Sequence, residues 1–188
     1  MIDPVEKVSI RKKTAKPLLW LMMVSMTMLF AGLTSAIIVR HAEGNWMHYE
    51  LPRIFYLSTA ILVLSSFTML WAMISAKKDN FQNIKTALIL TFLLGLGFVF
   101  CQFKAWGSLV EQGVFLVGNP SGSFLYVLTG LHLAHLFGGL IVLSVVLYKA
   151  FKELYNSQNK SGLELCSIYW HFLDVLWVYL FLFLIFIL

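Results

Sequence analysis

Residues 165–188 read LCSIYWHFLDVLWVYLFLFLIFIL, an apolar run broken by one carboxylate, Asp174, and one imidazole, His171. At a rise of about 1.5 Å per residue, a helix of this length crosses the roughly 30 Å hydrocarbon core of a bilayer. No backbone polar group can stay unpaired in lipid, and the run lacks the apolar–polar alternation of a barrel strand, so it has to be a helix. Its last eight residues are wholly apolar. The chain is therefore expected to end at or inside the membrane boundary.

Four more runs of this kind precede it, at 18–39, 54–76, 86–103 and 124–148, and Asp174 is the only Asp, Glu, Lys or Arg in any of the five. The chain of 188 residues is 60% apolar and 12% charged, against roughly 45–50% and about 25% in soluble domains. That composition excludes a soluble fold and leaves no room for a second, water-soluble domain. The expected architecture is an all-α membrane protein. A basic tail, 1–17, precedes a single transmembrane domain, 18–188, a bundle of five helices spanning about 18–39, 54–76, 84–104, 124–148 and 165–188. The first span could be taken for a signal peptide, but its apolar stretch is longer than an h-region, so it is expected to be retained. The segment Gly118-Asn119-Pro120-Ser121-Gly122 marks a turn before the fourth helix. Cys101 and Cys166 lie far apart inside apolar runs and predict neither a disulfide nor a zinc site.

Charge placement sets the orientation. Lys7, Arg11, Lys12, Lys13, Lys16, Lys77, Lys78, Lys85, Lys149, Lys152 and Lys160 fall on one side of the five spans, and Arg40, Arg53 and Lys104 on the other. The positive-inside rule then puts the N-terminus in the cytoplasm and the C-terminus outside. Those basic residues serve insertion, so the net charge of +5 does not point to nucleic acid.

Ionisable groups within the spans carry the functional information, since they are costly in lipid and face the bundle interior. The fourth span holds His132 and His135, three residues apart on one face; the fifth holds Glu164 near its start, then His171 and Asp174 on one stripe. Depth counting puts His135 and Asp174 each about 16 Å from opposite surfaces, both near the midplane. Consecutive helices pack antiparallel. A hydrogen bond from Asp174 to His132 or His135 is therefore expected, and loss of both histidines is expected to harm assembly more than Asp174→Asn. Three roles fit the cluster: metal or haem ligation by imidazole, a proton relay running through Glu164 and His171, and a structural polar clamp of His132, His135, His171, Asp174 and Glu164. The clamp is favoured by the chemistry, because two histidines at i and i+3 cannot be opposite axial ligands of one haem. Gly95, Gly97, Gly130, Gly138 and Gly139 read as sites of close helix packing. Trp46, Tyr49, Tyr56 and Trp106 on the outer side, with Trp20 and Tyr148 on the inner, read as interfacial belt residues. The chain shows no nucleophile motif, paired catalytic carboxylates or phosphate-binding loop.

The fourth span, Gly122-Ser123-Phe124 followed by Thr129-Gly130-Leu131-His132-Leu133-Ala134-His135 and Gly138, resembles a signature segment of haem-copper oxidase subunit III. Glu164 with Tyr169-Trp170-His171-Phe172-Leu173-Asp174-Val175-Leu176-Trp177 is similar to the family's E…Y-W-H-F-V-D-V-V-W signature. Weaker likeness covers the second helix (Leu51-Pro52, Phe55, Ser58-Thr59, Leu62, Ser65-Ser66) and the third (Leu94-Gly95, Phe98, Gln102). Five helices match the short bacterial form.

The resemblance implies a non-catalytic subunit of a proton-pumping terminal oxidase in the bacterial inner membrane. It implies packing on subunit I, with subunit II and other respiratory chains nearby, support of proton uptake and sustained turnover, and bound phospholipid. It also implies that this chain binds no haem or copper, which belong to the partners. Two positions depart from the family. Ser25-Met26 stands where a Ser-Glu pair is common, and Gln102-Phe103-Lys104-Ala105 where the pattern is Q-x-x-E, which disfavours an autonomous proton path. An accessory subunit of a nitric oxide reductase is the alternative, and a stand-alone transporter a more distant one, since neither broken helices nor inverted repeats are visible.

Overall fold

The structure, a computed structural model, describes residues 4–155 and 160–188, with side chains from Thr14 onward. Five helices follow one another: α1 (Pro4–Ala42), α2 (Ile54–Lys77), α3 (Phe81–Glu111), α4 (Pro120–Phe151) and α5 (Ser161–Ile187). Each is long and apolar enough to cross a membrane. The helices outrun the apolar stretches, and α1 takes in residues 4–17, read above as a tail, with Pro17 inside it. The side chains of Lys7, Arg11, Lys12 and Lys13 lie outside the described residues.

Polar caps set two of the starts. Asn80 accepts from the Asn83 backbone N–H to open α3, and Asn119 accepts from the Ser121 N–H to open α4, with Pro120 in the first turn, where its missing N–H costs nothing. Asn119 does more than cap. It also accepts from the Met47 N–H and donates to the Asn45 carbonyl, while the Ser121 hydroxyl donates to the Met47 carbonyl. The turn thereby fastens the α1–α2 connection across one end of the bundle. His48 Nδ1 lies 2.8 Å from the Leu188 carbonyl oxygen, so the C-terminus reaches the same end. At the opposite end, Lys16 approaches Glu164 and Lys85 pairs with Glu153.

Helix α5 packs on α1, α2 and α4, α4 packs on α1, α3 and α5, and α3 bridges α2 and α4. The core face of α5 carries Trp170 and Trp177, both fully buried. Lipid tails are as apolar as the side chains they would replace, so helices in a bilayer are held by close packing and interhelical hydrogen bonds. Both occur here. Trp170 Nε1 donates to Ser65 Oγ at 2.9 Å and Trp177 Nε1 to Thr59 Oγ1 at 3.0 Å, tying α5 to α2. Thr34 and Tyr179 join α1 to α5, Thr68 and Thr91 join α2 to α3, and Trp106 Nε1 donates to Thr129 between α3 and α4.

The expected glycine contacts divide. A Cβ on Gly95 would stand 2.9 Å from the Trp170 ring and 3.0 Å from Leu140, and one on Gly139 would meet Leu173 and Tyr169 at 3.3 Å. Gly139 lets α5 come close to α4, and Gly95 makes room on α3 for the Trp170 ring. Gly130 does neither, since a Cβ there would meet nothing within 4 Å; it lines an open apolar groove with Trp106, Tyr126 and Leu131. The aromatic residues read as an interfacial belt differ in exposure. Trp20, Tyr56 and Tyr148 are exposed, but Trp46, Tyr49 and Trp106 turn partly inward. Tyr49 and Trp106 do so because each finds an acceptor on α4, the Ser121 carbonyl and the Thr129 hydroxyl.

Candidate functional site

His171 and Asp174 lie three residues apart on α5, hence on one face, and that face is turned toward α2. Ser66 of α2 donates to Asp174 Oδ2 at 2.6 Å and lies 2.7 Å from His171 Nδ1. A serine hydroxyl has one proton. With that proton on Asp174, Ser66 accepts from the His171 Nδ1–H, which fixes the imidazole tautomer. One hydroxyl thus joins an imidazole and a carboxylate across two helices.

The expected hydrogen bond from Asp174 to His132 or His135 is not formed. Helix α5 does pack on α4, as consecutive helices should, but through Tyr169, Trp170 and Leu173 against Gly139. The stripe holding His171 and Asp174 points elsewhere. His135 turns back on its own helix, its Nδ1 2.7 Å from the Leu131 carbonyl oxygen, while Tyr169 donates to the His135 carbonyl. Fully buried His132 packs against the rings of Trp177, with centroids 4.9 Å apart, and Phe98, at 5.9 Å. Neither of its nitrogens has a hydrogen-bond partner among the described residues. Glu164 sits ten residues before Asp174, about 15 Å along the helix, near Lys16 at 3.9 Å and partly exposed.

The structure therefore brings together two of the five clamp residues and leaves three apart. The residue that joins them, Ser66, entered the sequence reading only as part of a helix-two likeness. Depth was its one signal, shared with Ser65 and Thr68: twelve residues beyond Ile54, it lies about 18 Å along α2, close to the level of Asp174. Among the described residues, no group of three His, Cys, Asp or Glu is arranged to hold a metal ion. Met26 and Ala105, which replace acids common in the resembled family, are buried.

These helices carry the signature residues of α4 and α5 in a single bundle, and the sequence model described as cytochrome c oxidase subunit III matches residues 12–187. The chain belongs to the cytochrome c oxidase subunit III family. Among its relatives, the probable cytochrome c oxidase subunit 3 of Nocardia farcinica is 32% identical over 169 residues, covering 87% of this chain and 82% of the relative. The cytochrome c oxidase subunit 3 of Bacillus subtilis is 31% identical over 183 residues, 94% of this chain and 87% of that one. The cytochrome bo(3) ubiquinol oxidase subunit 3 of Pseudomonas aeruginosa is 32% identical over 170 residues, 86% and 79% of the two chains. As a subunit III, this multi-pass membrane protein is an accessory part of an oxidase complex and does not catalyse alone.

Proposed function

We propose that this chain is the subunit III of a proton-pumping terminal oxidase of a bacterial inner membrane, seated on the catalytic subunit I with subunit II in the same complex. The observation that carries this reading is the family match over nearly the whole chain. In this reading haem and copper reside in the partners, and phospholipid fills apolar grooves such as that beside Trp106 and Gly130. The subunit supports proton uptake and prolongs turnover by holding its neighbours in place; the buried, non-ionisable Met26 and Ala105 favour that role over a proton path of its own. The basic end of the bundle faces the cytoplasm. The clamp joins α5 to α2 through His171, Ser66 and Asp174.

Purification of a tagged chain from membranes in mild detergent tests the reading. A haem-bearing catalytic chain should co-purify and reduce oxygen. Oxidase prepared without this chain should lose activity faster during turnover. Recovery of the tagged chain free of any haem protein would overturn the assignment, and a partner that reduces nitric oxide but not oxygen would replace it.

A further inference from the structure

We propose that the groove above Asp174, between α2 and α5, seats one hydroxyl- or carboxamide-bearing side chain from a transmembrane helix of the haem-bearing catalytic chain. This rests on the subunit reading above. The groove has a volume of about 210 Å³ and is lined by Val63, Ser66, Asp174, Val175 and Val178. That is below the roughly 300–1,000 Å³ of small-molecule pockets, and on the scale of a side chain rather than a cofactor. Asp174 is 4% exposed and forms the polar floor. Its Oδ2 is taken by Ser66, but its Oδ1 has no partner among the described residues.

Depth decides what can supply that partner. Asp174 lies nine residues, about 14 Å, into the span that begins at 165, near the middle of a hydrocarbon core of about 30 Å. Acyl chains offer no hydrogen bond there. Lipid headgroups and snorkelling lysines stay at the boundary. Only another membrane-embedded helix can bring a polar group to that level, where an unpaired polar atom has no water to turn to. The remaining orphan atoms with a described setting, on Trp46, Gln102 and His132, belong to side chains that line neither this groove nor its neighbour.

The surface has the relief such a helix needs. Val175 is 70% exposed and stands as a ridge between this groove and a second one, about 330 Å³, on the α1 side beside Thr27, Phe30 and Tyr179. A ridge flanked by furrows is how helices interlock. A hydroxyl or carboxamide suits Oδ1 whether Asp174 is ionised or carries a proton, because either group both donates and accepts. A lysine or arginine would serve the ionised form alone.

Photo-crosslinking in the intact oxidase tests this. The crosslinker p-benzoylphenylalanine is placed at Val175 in one tagged chain and at Ile141, on the exposed face of α4, in another; membranes are irradiated and adducts identified by mass spectrometry. The expected result is an adduct between position 175 and the haem-bearing chain, with none from position 141. Asp174→Leu should lower co-purified haem several-fold, and Asp174→Asn should retain it. Adducts from position 175 with lipid alone, equal adducts from both positions, or full haem recovery with Asp174→Leu would each overturn the proposal. Should Asp174→Leu fail to fold, by helix content of the purified chain, the crosslink decides. Wild-type chain that brings down no haem protein sinks the subunit reading itself, an outcome distinct from a wild-type complex that crosslinks elsewhere.

Discussion

Ser66 shows how much one hydroxyl can do when no water is near. It serves His171 and Asp174 at once, so its loss leaves two partners unsatisfied. Interhelical hydrogen bonds in membranes average about 0.6 kcal/mol, whereas a buried polar group left unpaired costs about 1–3 kcal/mol. Ser66→Ala should therefore destabilise the chain by about 1–2 kcal/mol, and Ser66→Thr, which keeps the hydroxyl, by less; thermal unfolding in detergent, followed by circular dichroism, checks the order. The double histidine variant loses the meaning expected of it, because neither His132 nor His135 hydrogen-bonds to Asp174. The sequence marked the imidazoles and the carboxylate as the unusual groups in lipid, but not their pairing. Depth along a helix is legible from residue counts, while the direction a stripe faces depends on how the helix is rotated against all its neighbours. A second residue-scale prediction concerns the connection between α1 and α2. Burial pushes the Tyr49 hydroxyl up to about 12, the Ser121 hydrogen bond opposing the shift. An acid held neutral by the fold contributes stability below its ordinary value of about 10 that is lost as pH climbs from there to the folded value. Raising pH from 10 to 12 should release this connection, and a tyrosinate absorbance titration should lose one late-titrating group in Tyr49→Phe.

At the scale of elements, all five helices could be read from the sequence because long uninterrupted apolar runs have no other solution in lipid. Their ends were less legible. Helix α1 carries on back to Pro4 through the basic segment and through Pro17, where hydropathy gives no signal and an interior proline argues against a helix. The turn at Asn119 was visible, yet its grip on the α1–α2 connection was not, since that depends on a contact 74 residues away. Glycines separate by what stands opposite them. Alanine in place of glycine inside a helix gains about 1 kcal/mol from propensity. At Gly95 the added methyl group meets the buried Trp170 ring at 2.9 Å, and that ring is held by Ser65. Overpacking of this kind costs about 1–3 kcal/mol. Gly95→Ala should lower the unfolding temperature of the purified chain and Gly130→Ala should leave it equal or raise it; the reverse order would mean that α3 and α5 are not in this contact.

For the whole molecule, the two ends of the bundle carry different chemistry, and this allows topology to be tested without a fusion. The C-terminus meets His48, so a reporter added there would disturb the end it reports on. Single cysteines avoid this. Val117 is 84% exposed in the α3–α4 connection, and Lys78 is exposed just past the end of α2, at the other end. The native Cys101 and Cys166 are buried, at 8% and 2% exposure, and burial raises little background labelling. The excess of Lys and Arg on the side of Lys78, eleven against three, is the ground for the proposal that this end faces the cytoplasm. A membrane-impermeant thiol reagent applied to spheroplasts should therefore modify Val117→Cys at once and Lys78→Cys only after permeabilisation. The opposite pattern would invert the bundle in the membrane. It would leave every helix contact intact, because none of the packing that holds the five helices together depends on which side is which. What would change is the set of groups at the cytoplasmic surface. Lys16, Lys85, Glu153 and Glu164, which pair at that end, would then lie outside.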